Sequence, residues 1–485
     1  MASVTSATVK RKRPSGSARN NPSRSRVAPK GRVAPKDRVA RKGRIVPPGA
    51  AAARGTGEAL ARLDHKAVEE ICRAHGHRWR EGKLTPGKTV EHFAWQVLMG
   101  NPSCDAVRHH GGCAFSSPAY CMARQRLPLA ALKELGSGVA AEALALAGRA
   151  RRRGGHRWKG KRVFRIDGSS TSLPDSAEVR KHFGLSNKQK PGCGYPTAHL
   201  LVLTGPAGVA VDVICSPLRT GDMTHAVKTH CHLVPGDLMM GDGQFCGWGH
   251  LWTLAEQGLS GLFPAHHSRA IGWGERADHG PNRQWLKSLG YYDQLVQYRK
   301  PERRPKWMSR QQFADAPQWI TVREVRRSVW AGGVRRMITI VTTLTNPKKY
   351  PAKELVKLLG ERWCIELDIR SLKTTMGMEQ LKSRSVEGVK KELAMYLIVY
   401  NLVRLRMLRA AARQKVPLAR VSFADALASL RYGCDPEAEL KVNPHRPGRW
   451  EPRVVKKRPK AYPKMSKPRP TLRRQLLARR KAALA

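Results

Sequence analysis

The sequence predicts an α/β (α+β) protein in which a mixed sheet is flanked by helices, preceded by a helical region and framed by basic tails. Residues 163–167, 198–205, 209–215 and 237–242 are short apolar runs between turn residues, and a helical run over 224–234 precedes the fourth. Three strands, a helix and a fourth strand imply a sheet of mixed direction. Helical patterning dominates 57–150 and returns over 351–376 and 386–413. The length of 485 residues allows two to four domains at about 150 residues each.

Charge narrows the partner. Lys and Arg number 90 against 36 Asp and Glu, a formal net charge of +54. The tails, 1–54 and 441–485, carry +14 and +15, which leaves +25 on the 386 residues between them. A body this basic is expected to face a polyanion, phosphate or another acidic surface, with an anionic membrane the weaker alternative. No apolar run reaches the 18 or more residues of a membrane span; the nearest, 393–403, reads as a buried helix. The ten Cys include no Cys-x2-Cys pair, and Cys104, Cys113 and Cys121 with His109 and His110 lack zinc-finger spacing. With no apolar leader after the basic start, a reducing cytoplasm is the expected compartment, with the nucleoid as the place of action.

From Arg26 a six-residue unit repeats as RVAPKG RVAPKD RVARKG RIVPPG, a pattern that predicts an extended basic arm. In the helical region Ser117 is the expected N-cap and Pro118 the first helical residue of a short helix carrying Tyr120, Arg124 and Arg126. A preceding helix over 104–110 and the Gly111-Gly112 turn make a helix-turn-helix-like pair conceivable, with an ordinary bundle bearing a basic rim the equal alternative. After the basic hinge at 151–162 come the strands. Farther on, 322–345 reads as a hairpin turned at Gly332-Gly333.

Two acids end apolar runs and precede glycine: Asp167 in FRIDGSS and Asp242 in MMGDGQF. Each alone reads as a turn; together they are placed as metal-binding carboxylates would be. The third element is LLGERWCIELDIRSLKTTMG. At about 100° per residue, Arg362, Glu366, Arg370 and Lys373 fall within about 80° of one another, with Glu361 and Asp368 on other faces. One acid among three bases suits either an exposed face of i,i+4 ion pairs or a metal ligand flanked by phosphate-holding cations.

The spacing Arg362-x3-Glu366-x6-Lys373, with Trp363 after the Arg, resembles the Y-x2-R-x3-E-x6-K signature of insertion sequence 4 family DDE transposases. IDGSSTSLPDSAEVRKHFG and DLMMGDGQF are similar to that family's two Asp regions, and TPGKTVEHFAWQVLMGN with SSPAYCMARQRLP resembles the N-terminal region of its bacterial members. The resemblance covers roughly 57–415. Leu359 stands at the family's Tyr position, and Gly243 where Arg often follows the second Asp.

The resemblance implies an RNase H-like core interrupted by a β-rich insertion between the second Asp and the Glu. It implies that Asp167, Asp242 and Glu366 are both the catalytic residues and the ligands of two Mg²⁺ ions, with Mn²⁺ a substitute. Cleavage at the transposon's terminal inverted repeats and strand transfer into target DNA would follow, by a homodimer assembled on DNA ends. Arg362, Trp363, Arg370 and Lys373, with Arg124 and Arg126 of the helical region, are the expected DNA contacts. A Trp that stacks a flipped base is a further family feature, and Trp307, Trp319 and Trp330 lie in the insertion.

The expected domains are a basic arm (1–54), a helical DNA-binding domain (55–150), the first part of the core (160–265), the insertion (266–345), the core's C-terminal helices (346–415), a helical extension (416–440) and a basic tail (441–485). Two alternatives stay open. One is an RNase H-fold nuclease without strand transfer; the other is a domesticated or inactive DNA-binding descendant.

Overall fold

Capping side chains delimit the helices of the N-terminal region. The computed structural model describes residues 63–149, 157–185, 193–266, 269, 271–331, 334–444 and 467–482; the arm expected over 1–54 lies outside them. Helices α1 (His65–Ala74), α2 (Pro86–Leu98), α3 (Cys104–His110) and α4 (Ser117–Arg126) start at Asp64, Thr85, Ser103 and Ser116, each accepting a backbone N–H from the first turn. The cap of α4 is therefore Ser116, not Ser117, whose hydroxyl turns instead to Asp105. Helix α5 (Leu129–Arg149) completes the region.

The sheet begins with β1 (Arg157–Trp158) and β2 (Lys161–Ser172), followed by α6 (Ala177–Phe183), β3 (Thr197–Thr204) and β4 (Ala210–Pro217). Next come α7 (Asp222–Ala226), β5 (Leu238–Met240), α8 (Trp248–Glu256) and β6 (Ser260–Pro264). The expected helix at 224–234 is α7 continued by a 3₁₀ segment, Val227–His232. Strands β7 (Arg283–Gly290) and β8 (Asp293–Arg299), helix α9 (Arg310–Asp315), and strands β9 (Trp319–Ala331) and β10 (Val334–Thr342) form the β-rich segment before the last helices. Its hairpin has the expected strands, while the Gly332-Gly333 turn lies outside the described residues.

Sheet order is β4-β3-β2-β5-β6-β10-β9-β8-β7. The pairs β2/β3 and β3/β4 are antiparallel, β2/β5 and β5/β6 parallel, and the rest antiparallel. This mixed sheet flanked by helices is the RNase H-like arrangement expected from the sequence, and the β-rich segment extends it from β6 rather than folding apart.

Alternation along β2 assigns the two faces. Phe164 and Ile166 join Leu201, Leu203, Met239 and Phe263 under α8. Val163 joins Leu238, Met240, Leu262 and Ile340 under α10 (Ala352–Gly360) through Leu355, Leu358 and Leu359. The helix expected over 351–376 is broken: α10 ends at Gly360, α11 (Trp363–Arg370) follows, and Ser371–Thr375 is a π turn. Helix α12 (Val386–Arg413) is buried on nearly every side from Val389 to Ala411, which accounts for the apolar run within it. Its Asn401 side chain caps β4 by accepting from the Ala210 N–H at 3.0 Å and donating to its carbonyl at 2.8 Å. Helices α13 (Phe423–Tyr432) and α14 (Arg469–Ala482) close the chain. Among the described residues no helix is long and apolar enough to cross a membrane.

Candidate active site

Strand register brings the two aspartates together. In the parallel β2/β5 pair Arg165 lies opposite Met240. Two residues farther along each chain are Asp167 and Asp242, on the same face by the two-residue period. The expectation that Asp167 ends its strand needs correction. Its strand continues to Ser172, held by β3, and it is the parallel pairing with β5 that stops before Asp167. The carboxylate therefore stands on a rigid strand at the edge where β5 turns away.

Gly168 is not a turn residue either. A Cβ there would come within 3.1 Å of His199 Nε2 and 3.2 Å of Asp222 Oδ2, which meet each other at 2.8 Å over the other face of the strand. Gly168→Ala should make this pair give by a few tenths of an ångström and cost about 1 kcal/mol, read as a lower urea midpoint at unchanged slope. Asp242 is the N-cap of a short 3₁₀ turn, Gly243–Phe245, accepting the Gln244 N–H at 2.9 Å. Gly243 packs on the backbone after β6, where a Cβ would lie 3.3 Å from His266 Cα. That contact gives a physical reason for glycine at this position.

Glu366 reaches the same edge from α11, which lies on the sheet through Ile365 and Ile369 against Val202, the β3 residue opposite Asp167. Burial pushes the Asp167 carboxyl up to about 6; the Gly168 N–H and Arg362 oppose the shift, and the charges of Asp242 and Glu366 add to it. The Asp167 carboxyl thus feels both other acids and the Arg362 guanidinium. Arg362 also bonds Glu366 at 3.3 Å. Among the described residues no three His, Cys, Asp or Glu side chains already stand at metal-ligating distance. The chemistry of the three side chains nonetheless suits a hard divalent cation: each offers carboxylate oxygens, and the charges of Asp242 and Glu366 bear on Asp167.

The other expected contacts fall out differently. Trp363 is 59% exposed beside the site, and Arg370 is exposed. Lys373 does not continue a uniform stripe, because the π turn changes the helical phase. Its ammonium folds onto β2, donating to Ser169 Oγ at 3.1 Å and to the Ser170 carbonyl at 2.7 Å. Leu359, at the family's Tyr position, is buried under the sheet. Glu361 is exposed and pairs with Arg165 at 3.1 Å. Asp368 is buried against Arg404 and Tyr400.

In the helical region Arg126 is exposed, whereas Arg124 is not on a basic rim. Its guanidinium donates to Gln96 at 2.8 Å, covers the Phe93 ring at 3.9 Å and faces buried Glu392 at 3.9 Å. A helix interior that needs a cation for Glu392 has taken it inward. Trp307 packs on Gly249, and the Trp330 side chain lies outside the described residues.

One feature of the site escaped the sequence reading. Strand β10 pairs with β6 only over Ile340–Thr342, and β9 pairs with β8 only as far as Val325. The preceding residues of β10 and the following residues of β9 make a two-stranded ribbon. Because β10 runs antiparallel to β6, the ribbon projects past the edge that carries the acids. Exposed Arg335 and Arg336 lie on it. The clustered arginines of VREVRRSVWAGGVRRM were the available signal.

Comparison with known proteins defines the class. The Transposase DDE domain matches residues 158–402, half of the chain, and the chain belongs to that family. Among curated proteins the chain is similar to the Transposase InsG for insertion sequence element IS4 of Escherichia coli (strain K12), 26% identical over 342 residues that cover 63% of this chain and 70% of that protein. The piggyBac transposase synaptic complex with hairpin DNA aligns with 78% of this chain and 79% of its own at 10% identity and a TM-score of 0.37, too loose to carry an argument.

Proposed function

We propose that this DDE transposase cleaves DNA at the ends of an insertion sequence and joins the freed ends to target DNA. The observation that supports this reading best is the parallel register that sets Asp167 beside Asp242, with Glu366 facing them from α11. These three side chains would hold two Mg²⁺ ions, with Mn²⁺ a substitute. Two such ions, when bound, stabilise charge on the entering and leaving oxygens of an in-line phosphodiester displacement.

The protein's own groups do the positioning. Arg362 pairs with Glu366 beside the acids, and its guanidinium would suit a DNA phosphate there. Lys373 ties the π turn to β2, which keeps α11 and Asp167 in register. Trp363 offers a flat apolar surface beside the acids for an unstacked base. Arg335 and Arg336 stand on a ribbon of the width that enters a DNA major groove. The partners are therefore the terminal inverted repeats and the target duplex, engaged by a homodimer on paired ends, in the cytoplasm at the nucleoid. The helical segment before the sheet serves as the end-binding domain, with Arg126 its exposed candidate contact.

A donor plasmid bearing the repeats that flank the coding sequence, mixed with a target plasmid and Mg²⁺, should yield nicked ends and then a joined product. Nicking without joining would instead make the chain a nuclease, and binding without nicking a DNA-binding descendant.

The pH dependence follows from Asp167. A carboxyl raised to about 6 is protonated below that pH, and a proton there competes with a divalent cation. Mg²⁺ affinity should fall about tenfold per pH unit well below 6 and level off above it. In Asp242→Asn one repelling charge is gone, so the Asp167 titration, followed by carboxyl carbon NMR of metal-free protein, should move toward lower pH.

A further inference from the structure

We propose that α14 is a DNA clamp docked on the catalytic core, holding the duplex a few base pairs from the cleavage point. The proposal rests on the DNA-processing reading above. Residues 469–482 lie beyond the family match and within the segment expected to be a plain basic tail.

The helix has a fixed foot. Arg469 pairs with Asp175, donates to the Gly194 carbonyl at 2.5 Å and lies 5.1 Å over the Tyr195 ring. Asp175 is itself largely buried and also receives Arg180 at 2.5 Å, so a rigid acceptor is in place. The foot stands on the active-site edge. Strands β2 and β3 remain paired to Ser172 and Thr197, and Asp175 and Gly194 lie just beyond. From Asp167 to Ser172 is five residues, roughly 17 Å along a strand at 3.4 Å per residue, or about five base pairs of duplex.

Past the foot the helix turns a single-signed face outward. At about 100° per residue, Arg473, Arg474, Arg480 and Lys481 occupy an arc of about 120°. Leu472, Leu476 and Arg479 lie on the neighbouring side, and Arg469 stands at the boundary between the two. From Arg473 to Ala482 every residue is exposed, and the helix contains no acid. None of the four cations has an acidic partner among the described residues. Four unpaired cations on one side of an anchored helix complement a phosphate backbone, and burying them against another basic copy of this chain would be repulsive.

The test measures affinity of the full-length chain for a duplex carrying the element's end, across salt concentrations, by fluorescence anisotropy. Replacing Arg473, Arg474, Arg480 and Lys481 together by Gln should weaken binding at least tenfold and flatten the log–log salt slope by about 3 to 4. The anchor separates a clamp from a loose tail. Asp175→Asn removes a negative charge, which on charge alone tightens DNA binding, yet loss of the foot should weaken it several-fold. Arg469→Gln should do the same, and the double variant should be no worse than either single one, because both cut one contact. Circular dichroism melting checks that each variant is folded.

Wild-type affinity in the quadruple variant overturns the clamp, as does Asp175→Asn binding as tightly as wild type. A quadruple variant that changes sedimentation from dimer to monomer at unchanged DNA affinity assigns the face to a second copy and overturns it too. Failure of the functional reading looks different: wild-type chain would then neither bind nor nick the end duplex.

Discussion

Asp167→Asn, Asp242→Asn and Glu366→Gln should each reduce Mg²⁺-dependent nicking on the order of a thousandfold, the scale on which loss of a charge-stabilising group acts in a transition state. Each substitution keeps side-chain volume and removes a charge that a divalent cation needs. Binding of the end duplex should persist and tighten slightly, since one negative charge near the phosphates is gone. Glu361→Gln is the matched control: it lies on the same polypeptide stretch, but its exposed carboxylate pairs with Arg165, two residues before Asp167 on β2, rather than with the acids. An active Glu366→Gln beside an inactive Glu361→Gln would mean that α11 presents a different face. Full activity in all three would remove the two-metal reading.

Asp368→Asn should be the most damaging of the nearby conservative changes for stability. On helical angle alone Asp368 is another off-face acid and an apparent second control. In the fold its carboxylate is 7% exposed, accepts from Tyr400 at 3.1 Å and pairs with Arg404, itself 11% exposed. Burial raises its pKa while Arg404 and Tyr400 hold it down. Removing one member leaves a buried guanidinium without its counter-charge, which costs about 3–5 kcal/mol. Urea denaturation should show that loss for Asp368→Asn and less than about 1 kcal/mol for Glu361→Gln. Since Asp368 joins α11 to α12, nicking by Asp368→Asn should recover at low temperature or with an osmolyte, whereas Glu366→Gln stays inactive. Equal stability of the two variants would show that the Asp368 contact is solvated.

Much of this protein was legible before any fold was known. Apolar runs marked the strands of the sheet's first half, and Ser117 marked the start of α4 to within a residue. The spacing Arg362-x3-Glu366-x6-Lys373 with two Asp-Gly strand segments was enough to place the chain near the insertion sequence 4 transposases. These signals are local: a strand's period, a cap and a motif each depend on residues close in sequence.

Tertiary structure decided what those residues face. Asp167 and Asp242 are 75 positions apart, and only the parallel register of β2 and β5 makes them neighbours. Arg124 looked like a surface cation until buried Glu392, far along the chain, drew it inward. A helical wheel carried Lys373 along one stripe, but the π turn broke the phase and β2 supplied its partners. The apparent tail acquired an ordered foot because Asp175 and Gly194 meet beyond a hairpin. Strand pairing sets the two aspartates side by side, whereas for Arg124, Lys373 and Arg469 a charge is placed by a group distant in sequence. Sequence proximity does not encode that placement; the packed chain does.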